Sequence, residues 1–198
     1  PDDERLIFVP QNFRYLKRFL RLEGYKKVDG ILADLGISSH QIDEAERGFS
    51  YRFDAMLDMR MNQQGIKTAA EIVNTYEAAE LQRIFGMYGE VKNARTLAEL
   101  IVSERDLRPI QTINDFVNTI GSAIRGKRPK YLAQVFQALR IEVNEEIEAL
   151  NEFLESTLDT LKIGGRLVVM SYHSLEDRPV KNFIKRGTLN GKMIQDDF

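Results

Sequence analysis

The sequence predicts an α/β fold, a parallel sheet interrupted by a helical lobe. Three observations carry this. Near-continuous apolar runs at residues 6–9, 28–35 and 166–171 suit strands covered on both faces of a sheet. Roughly 130 residues separate the second and third runs, far more than one crossover needs. Much of that interval repeats its apolar residues at helical spacing.

Taken in order, Leu-Ile-Phe-Val at 6–9 is the first expected strand. Phe13, Leu16, Phe19 and Leu20 then fall at helical spacing, as a short crossover helix requires. The second strand, 28–35, carries one carboxylate, Asp34, near its C-terminal end, and Gly36-Ile37-Ser38-Ser39 turns at once. Ligands of open α/β sheets sit beyond the carboxyl ends of the strands, so this turn is either a small-ligand site or a plain capped strand end. Residues 36–65 have no clean period. They are too rich in Phe, Tyr and Met for disorder, and a loop of that length is usually functional.

Helices follow. Thr68-Ala69-Ala70-Glu71 has the capping-box pattern. Residues 90–105 place Val91, Ala94, Leu97, Ala98, Ile101 and Val102 on one face. Thr112 is placed to cap a helix with Ile113, Phe116, Val117, Ile120 and Ile124 on one stripe. The lobe is therefore expected at 68–124, between core segments 1–67 and 125–198. Residues 125–130 hold four positive charges, as a solvated hinge or as phosphate contacts. One long helical stretch, 131–161, is expected to stop at Gly164-Gly165 and introduce the third strand. Within it Gln137, Arg140 and Asn144 share a face, for a site or for buried hydrogen bonds.

Composition narrows the chemistry. The 28 Lys and Arg nearly balance the 30 Asp and Glu among 198 residues, so net charge gives no signature of nucleic-acid binding, though a local basic patch suffices for one. With no Cys and two His, disulfides, thiol chemistry and a histidine-rich metal cluster are out, and no metal is expected. The lack of Cys fits the cytosol. No apolar run approaches the ~20 residues of a membrane span. Both ends read as cut.

Two motifs fall at strand ends. Gly36-Ile37-Ser38-Ser39-His40 departs from a nucleophile elbow, because His40 stands where that motif needs Gly. Tyr172-His173-Ser174-Leu175-Glu176-Asp177-Arg178 follows the third strand, where it should line the same crevice as Asp34. His173 is there a candidate base, RNA contact or donor. Ser174 is expected to cap the next helix, with Asp177 completing the cap.

Six motifs together resemble one family. They are Asp34-Leu35-Gly36-Ile37-Ser38-Ser39-x-Gln41, Glu46-Arg47-Gly48-Phe49-Ser50, Leu57-Asp58-Met59-Arg60-Met61, Tyr88-Gly89-Glu90, Phe136-Gln137-Ala138-Leu139-Arg140-Ile141 and Ser171-Tyr172-His173-Ser174-Leu175-Glu176-Asp177-Arg178. In this order they look like the bacterial 16S rRNA cytosine-N4 methyltransferases (RsmH, also called MraW). The resemblance implies an incomplete Rossmann-like class I methyltransferase core with an inserted helical domain. It implies S-adenosylmethionine as cofactor, and methylation of a cytidine N4 in the decoding region of 16S rRNA, in the small ribosomal subunit and the cytoplasm. By motif position, Phe13, Asp34 and Gln41 are the implied cofactor contacts. Asp34, Ser38, Ser39 and His173 are the expected acceptor set at the reacting amino group. Phe49 or Tyr172 would stack the base, and Arg125, Lys127, Arg128 and Lys130 would meet RNA phosphates. The family's Gly-Gly-His-Ser turn has no counterpart in this chain, which leaves a non-catalytic RNA-binding fragment as the alternative.

Overall fold

The computed structural model of the chain describes residues 3–192. In chain order its main elements are α1 (Leu16–Leu22), β1 (Val28–Asp34), α2 (Ser39–Asp43), α3 (Ala69–Thr75), α4 (Ala78–Met87), α5 (Ala94–Arg105), α6 (Ile113–Thr119), α7 (Arg128–Asn144), α8 (Glu146–Thr160), β2 (Leu161–Met170) and α9 (Ser174–Arg186). Two compact units result. One is formed by the chain up to Gly36 and from Glu146 onward, the other by Ile37–Glu145. Both crossings fall at left-handed backbone, Gly36 at φ 86° and Glu145 at φ 50°.

In the first unit β1 and β2 pair in parallel, with Ile31 opposite Leu167, Leu32 opposite Val168 and Asp34 opposite Met170. The three residues from Val28 to Gly30 face the six from Leu161 to Arg166, so β2 bulges there. Gly164-Gly165 is that bulge and not the end of a helix, since α8 stops at Thr160 and runs straight into the strand. Gly165 has to be glycine, because a Cβ there would lie 2.9 Å from the Lys162 carbonyl and 3.0 Å from that of Asp29. Side chains alternate across the sheet. Ile31, Ala33, Leu167 and Val169 pack with Leu35 on α8 (Leu150, Phe153, Leu154) and α9 (Val180, Phe183). The opposite face is open among the described residues, with Leu32 69% and Val168 51% exposed, so burial on both faces is corrected to burial on one.

Residues 6–9 are not a strand either. Leu6 donates its N–H to the Asp3 carbonyl in a local turn, and Leu6, Ile7 and Phe8 are exposed. An apolar run becomes a strand only where a neighbour pairs its backbone groups.

The second unit is helical and holds the denser core. The largest fully buried side chains, Phe85 and Phe116, belong to it, together with Leu57, Met59 and Ile120. Two of its helices, α3 and α6, start where the sequence places their caps. Thr68 Oγ1 accepts the Glu71 N–H, and Thr112 with Asp115 forms a reciprocal capping box. The unit is wider than 68–124, because residues 37–67 and α7 pack into it. The expected long helix is two helices, parted at Glu145, whose positive φ no glycine signalled.

Candidate functional site

The carboxyl ends of β1 and β2 bring Asp34 and the Tyr172 segment together, as their positions at strand ends required. Asp34, exposed, accepts a 2.8 Å hydrogen bond from the Tyr172 hydroxyl. That bond to a carboxylate raises the Tyr172 phenol above its ordinary pKa, with the nearby charge of Asp34 adding to it. The Leu35 N–H donates to the Met170 carbonyl and keeps the two strand ends in register.

A buried carboxylate, Glu176, organises the loop behind this pair. Its Oε2 accepts the Tyr172 backbone N–H at 2.9 Å, and its Oε1 lies 3.3 Å from His173 Nε2. That second distance suits an ion pair if the imidazole is charged. The angles do not make it a hydrogen bond, and among the described residues neither ring nitrogen of His173 has a hydrogen-bond partner. Glu146, at the start of α8, completes the corner, with one donor atom from each of Glu146, His173 and Glu176 within 4.8 Å of one another. One imidazole between two carboxylates is a donor set that a cation or a shared proton can bridge. Neither glutamate was singled out in the sequence, although Glu176 stands four residues after Tyr172 inside the motif. The helix cap is His173, not Ser174: the N–H groups of Glu176 and Asp177 both turn back to the His173 carbonyl.

Phe13 also lies in this unit. Its ring is 41% exposed, its edge meets Phe153 at 5.4 Å between centroids, and it borders a cavity of about 380 Å³ with Ile7, Val9, Phe19 and Tyr25. Asp34 does not line that cavity. For an adenosyl cofactor the residues fit in kind: a partly open aromatic face beside a hollow, and an exposed carboxylate at the carboxyl edge of the sheet.

Ser38, Ser39 and Gln41 belong to the second unit. There Ser38 and Gln41 form a capping box at the start of α2. Ser38 Oγ accepts the Gln41 N–H at 3.3 Å, and Gln41 Oε1 accepts the Ser38 N–H at 2.9 Å. The Ser-x-x-Gln spacing carried that signal.

Two of the remaining motifs brace each other inside this unit, and Asn144 of α7 ties into them. The Met59 N–H donates to the Arg47 carbonyl, and the Arg47 guanidinium returns bonds to the carbonyls of Arg60 and Met61. A Cβ on Gly48, at φ 73°, would sit 2.6 Å from the Met56 carbonyl. Asn144 Nδ2 donates to the Met59 and Arg140 carbonyls at 2.8 Å, while its Oδ1 accepts the Met61 N–H at 2.7 Å. Arg60 grips Asp58 through two nitrogens. Burial alone would raise the Asp58 carboxyl, but the bonds from Arg60 outweigh it and hold it below its ordinary value. Phe49 is buried, with the Arg47 guanidinium over its ring, so it is withdrawn as a base-stacking residue, whereas Tyr172 is 68% exposed.

The polar stripe of α7 makes part-buried hydrogen bonds. Besides Asn144, Gln137 Nε2 donates to the Tyr88 carbonyl at 2.8 Å and anchors the Tyr88-Gly89-Glu90 turn. The basic segment is not the link between units. Residues 124–127 turn at Gly126, and Arg128 opens α7 within the helical unit. Arg125, Lys127 and Lys130 border a cavity of about 310 Å³, which Arg128 does not line.

A family model described as the MraW methylase family matches residues 1–194. The ribosomal RNA small subunit methyltransferase H of Cytophaga hutchinsonii is 58% identical over 189 residues, covering 95% of this chain and 63% of that protein. The protein of the same name from Parabacteroides distasonis is 56% identical over 200 residues, covering 100% of this chain and 66% of its own length. That from Bacteroides thetaiotaomicron is 55% identical over 198 residues, with coverages of 100% and 65%. The chain thus spans a little under two thirds of the length of these relatives. Among the described residues no helix is long and apolar enough to cross a membrane.

Proposed function

The chain belongs to the MraW methylase family, and on that premise we propose that the intact protein uses S-adenosylmethionine to methylate the exocyclic N4 of a cytidine in the decoding region of 16S rRNA, in the small ribosomal subunit and the cytoplasm. The observation that carries this is the match along nearly the whole chain to relatives named for methylating the small-subunit RNA. In this reading the unit with β1 and β2 belongs to a Rossmann-like core, and the helical unit is an inserted substrate-recognition domain.

When bound, the cofactor supplies a methyl group made electrophilic by its sulfonium. The protein's task is orientation, because the N4 lone pair is delocalised into the ring and attacks poorly. Asp34 is the acceptor we assign to an amino proton of the cytidine. An acceptor at that carboxylate edge would take up the one proton that N4 loses in exchange for the methyl group. Ser38, Ser39 and His173 are assigned to orient the base, and Tyr172, the exposed aromatic there, to stack it. Phe13 would pack the adenine, and Asp34 and Gln41 would be polar contacts of the cofactor. Arg125, Lys127, Arg128 and Lys130 face RNA phosphates.

The test follows methyl transfer from labelled cofactor to small subunits by the intact protein, with the modified nucleoside identified by mass spectrometry. N4-methylated cytidine is expected. Label in protein, in a small molecule or on a ring carbon overturns the reading. Asp34→Ala should weaken cofactor binding by roughly ten- to a hundredfold, as loss of a hydrogen bond to a charged group does, and an unchanged dissociation constant removes Asp34 from the site. His173→Ala should lower turnover more than RNA affinity.

A further inference from the structure

The cavity beside the basic segment has a composition that the protein's own charges leave unanswered. It lies wholly in the helical unit, between the turn at Glu90–Asn93 and the start of α7. Lys92, Arg125, Lys127 and Lys130 border it, with Glu90 the single acidic residue there. Elsewhere long cations find carboxylates, as in Lys17–Asp159, Lys162–Asp29, Lys181–Asp177 and Arg83–Glu142. Among the described residues none of the four at this cavity is paired with a carboxylate. Arg125 donates only to the carbonyls of Ser122 and Ile124.

The floor is rigid. The Tyr131 hydroxyl, on a residue only 4% exposed, donates to Asn93 Oδ1, and Asn93 Nδ2 donates to the Ala123 carbonyl. Gln134 Nε2 donates to the Glu90 carbonyl. The Glu90 turn is pressed against α7, since a Cβ on Gly89 would lie 2.7 Å from the Gln134 carbonyl. The 17-residue α7 begins here with Pro in its first turn and no side-chain cap. Its first N–H groups and positive dipole end therefore add to the four cations.

We infer that this pocket seats a backbone phosphate of the RNA substrate, held by Lys92, Arg125, Lys127 and Lys130 at the N-terminus of α7. That the phosphate comes from RNA rests on the methyltransferase reading above; that the pocket takes an anion rests on its own charges and walls. A volume of about 310 Å³ admits the phosphate with its flanking sugar. The inference adds Lys92, which the sequence did not single out, and leaves Arg128, which opens the helix outside the cavity, with no part in this seat.

The experiment uses the intact protein and a fluorescent single-stranded oligoribonucleotide of roughly 12 nucleotides, with affinity read by anisotropy across a salt series. Lys92→Gln and Lys130→Gln should each weaken binding roughly three- to tenfold and flatten the salt dependence by about 0.7 in log–log slope, the share of one phosphate contact. Arg95→Gln, which removes an exposed cation paired with Glu99 in the same unit, should do neither. Equal affinities and slopes in all four proteins overturn the seat, as does an equal loss in the Arg95 control. Inorganic phosphate that binds the wild type but not Lys92→Gln, with RNA affinity the same in both, assigns the pocket to a free anion and also overturns it. The two readings fail separately, because oligonucleotide binding is measured without methyl transfer, and the cytidine assay can fail while the salt slopes still differ.

Discussion

Asn144 shows how one side chain serves three segments. Both of its amide N–H groups and its carbonyl oxygen are used, on Met59, Arg140 and Met61; the Arg140 carbonyl lies within α7, so truncation strands chiefly the Met59 carbonyl and the Met61 N–H in a part-buried place. Asn144→Ala should destabilise the helical unit by about 1–3 kcal/mol, the cost of leaving such groups unsatisfied. Urea unfolding followed by far-ultraviolet circular dichroism measures it, and a shift within a few tenths of a kcal/mol would show that water replaces the bonds. A second residue-scale prediction concerns Tyr172. Its raised phenol pKa is due first to the hydrogen bond it donates to Asp34, so Asp34→Asn should let that phenol ionise at lower pH. Ultraviolet difference titration, with Tyr172→Phe subtracted to isolate its signal, reads this directly. An unmoved titration would mean the pair does not persist in solution.

At the scale of elements, the helices show what periodicity conveys. Thr68 and Thr112 were legible as caps because a hydroxyl followed by a carboxylate three residues on satisfies helix N–H groups locally, without help from the fold. The break at Glu145 was not legible. Its positive φ belongs to a residue with ordinary helical propensity, and it persists because Asn144 is tied to residues 59–61, far away in sequence. Residues 6–9 failed for a related reason, since strand identity lives in the partner. In the candidate site Asp34 and Tyr172 could be placed together because both stand at the ends of apolar runs. Phe49 could not be told from an exposed aromatic, because the Arg47 cover over its ring is a tertiary fact. The cap at α6 carries a pH prediction. Burial pushes the Asp115 carboxyl up, but the N–H groups of Thr112 and Gln111 and the charge of Arg108 outweigh that and hold it below its ordinary 3.8. A carboxyl lowered in the folded state stabilises fully above its unfolded pKa, and that contribution is lost as pH falls through the folded value. Asp115→Asn should therefore cost stability at neutral pH and cost little in acid below the folded value. Equal losses at both pH values would assign the effect to packing.

At the scale of the whole molecule, the chain is two cores on one thread. Phe116 is fully buried in the helical unit, and Phe153 is 2% exposed in the unit built on β1 and β2. The helical unit is a continuous segment, Ile37–Glu145, whereas the other is assembled from both sides of it and has one open sheet face among the described residues. Stability should then be unequal, with the helical unit the more resistant, because its core holds the largest fully buried side chains. Replacing a buried Phe by Ala removes about 3–5 kcal/mol where the site cannot collapse. Phe153→Ala should accordingly move an early unfolding transition to lower urea and leave a later one in place, while Phe116→Ala should move the later one. The larger share of the helix signal in circular dichroism comes from the helical unit, and the difference in ultraviolet absorbance between the wild type and Tyr172→Phe reports on the other, so the two probes separate the transitions. A single transition shifted equally by both substitutions would show that the two cores unfold as one cooperative unit, and the division at Gly36 and Glu145 would then describe geometry without energetic consequence.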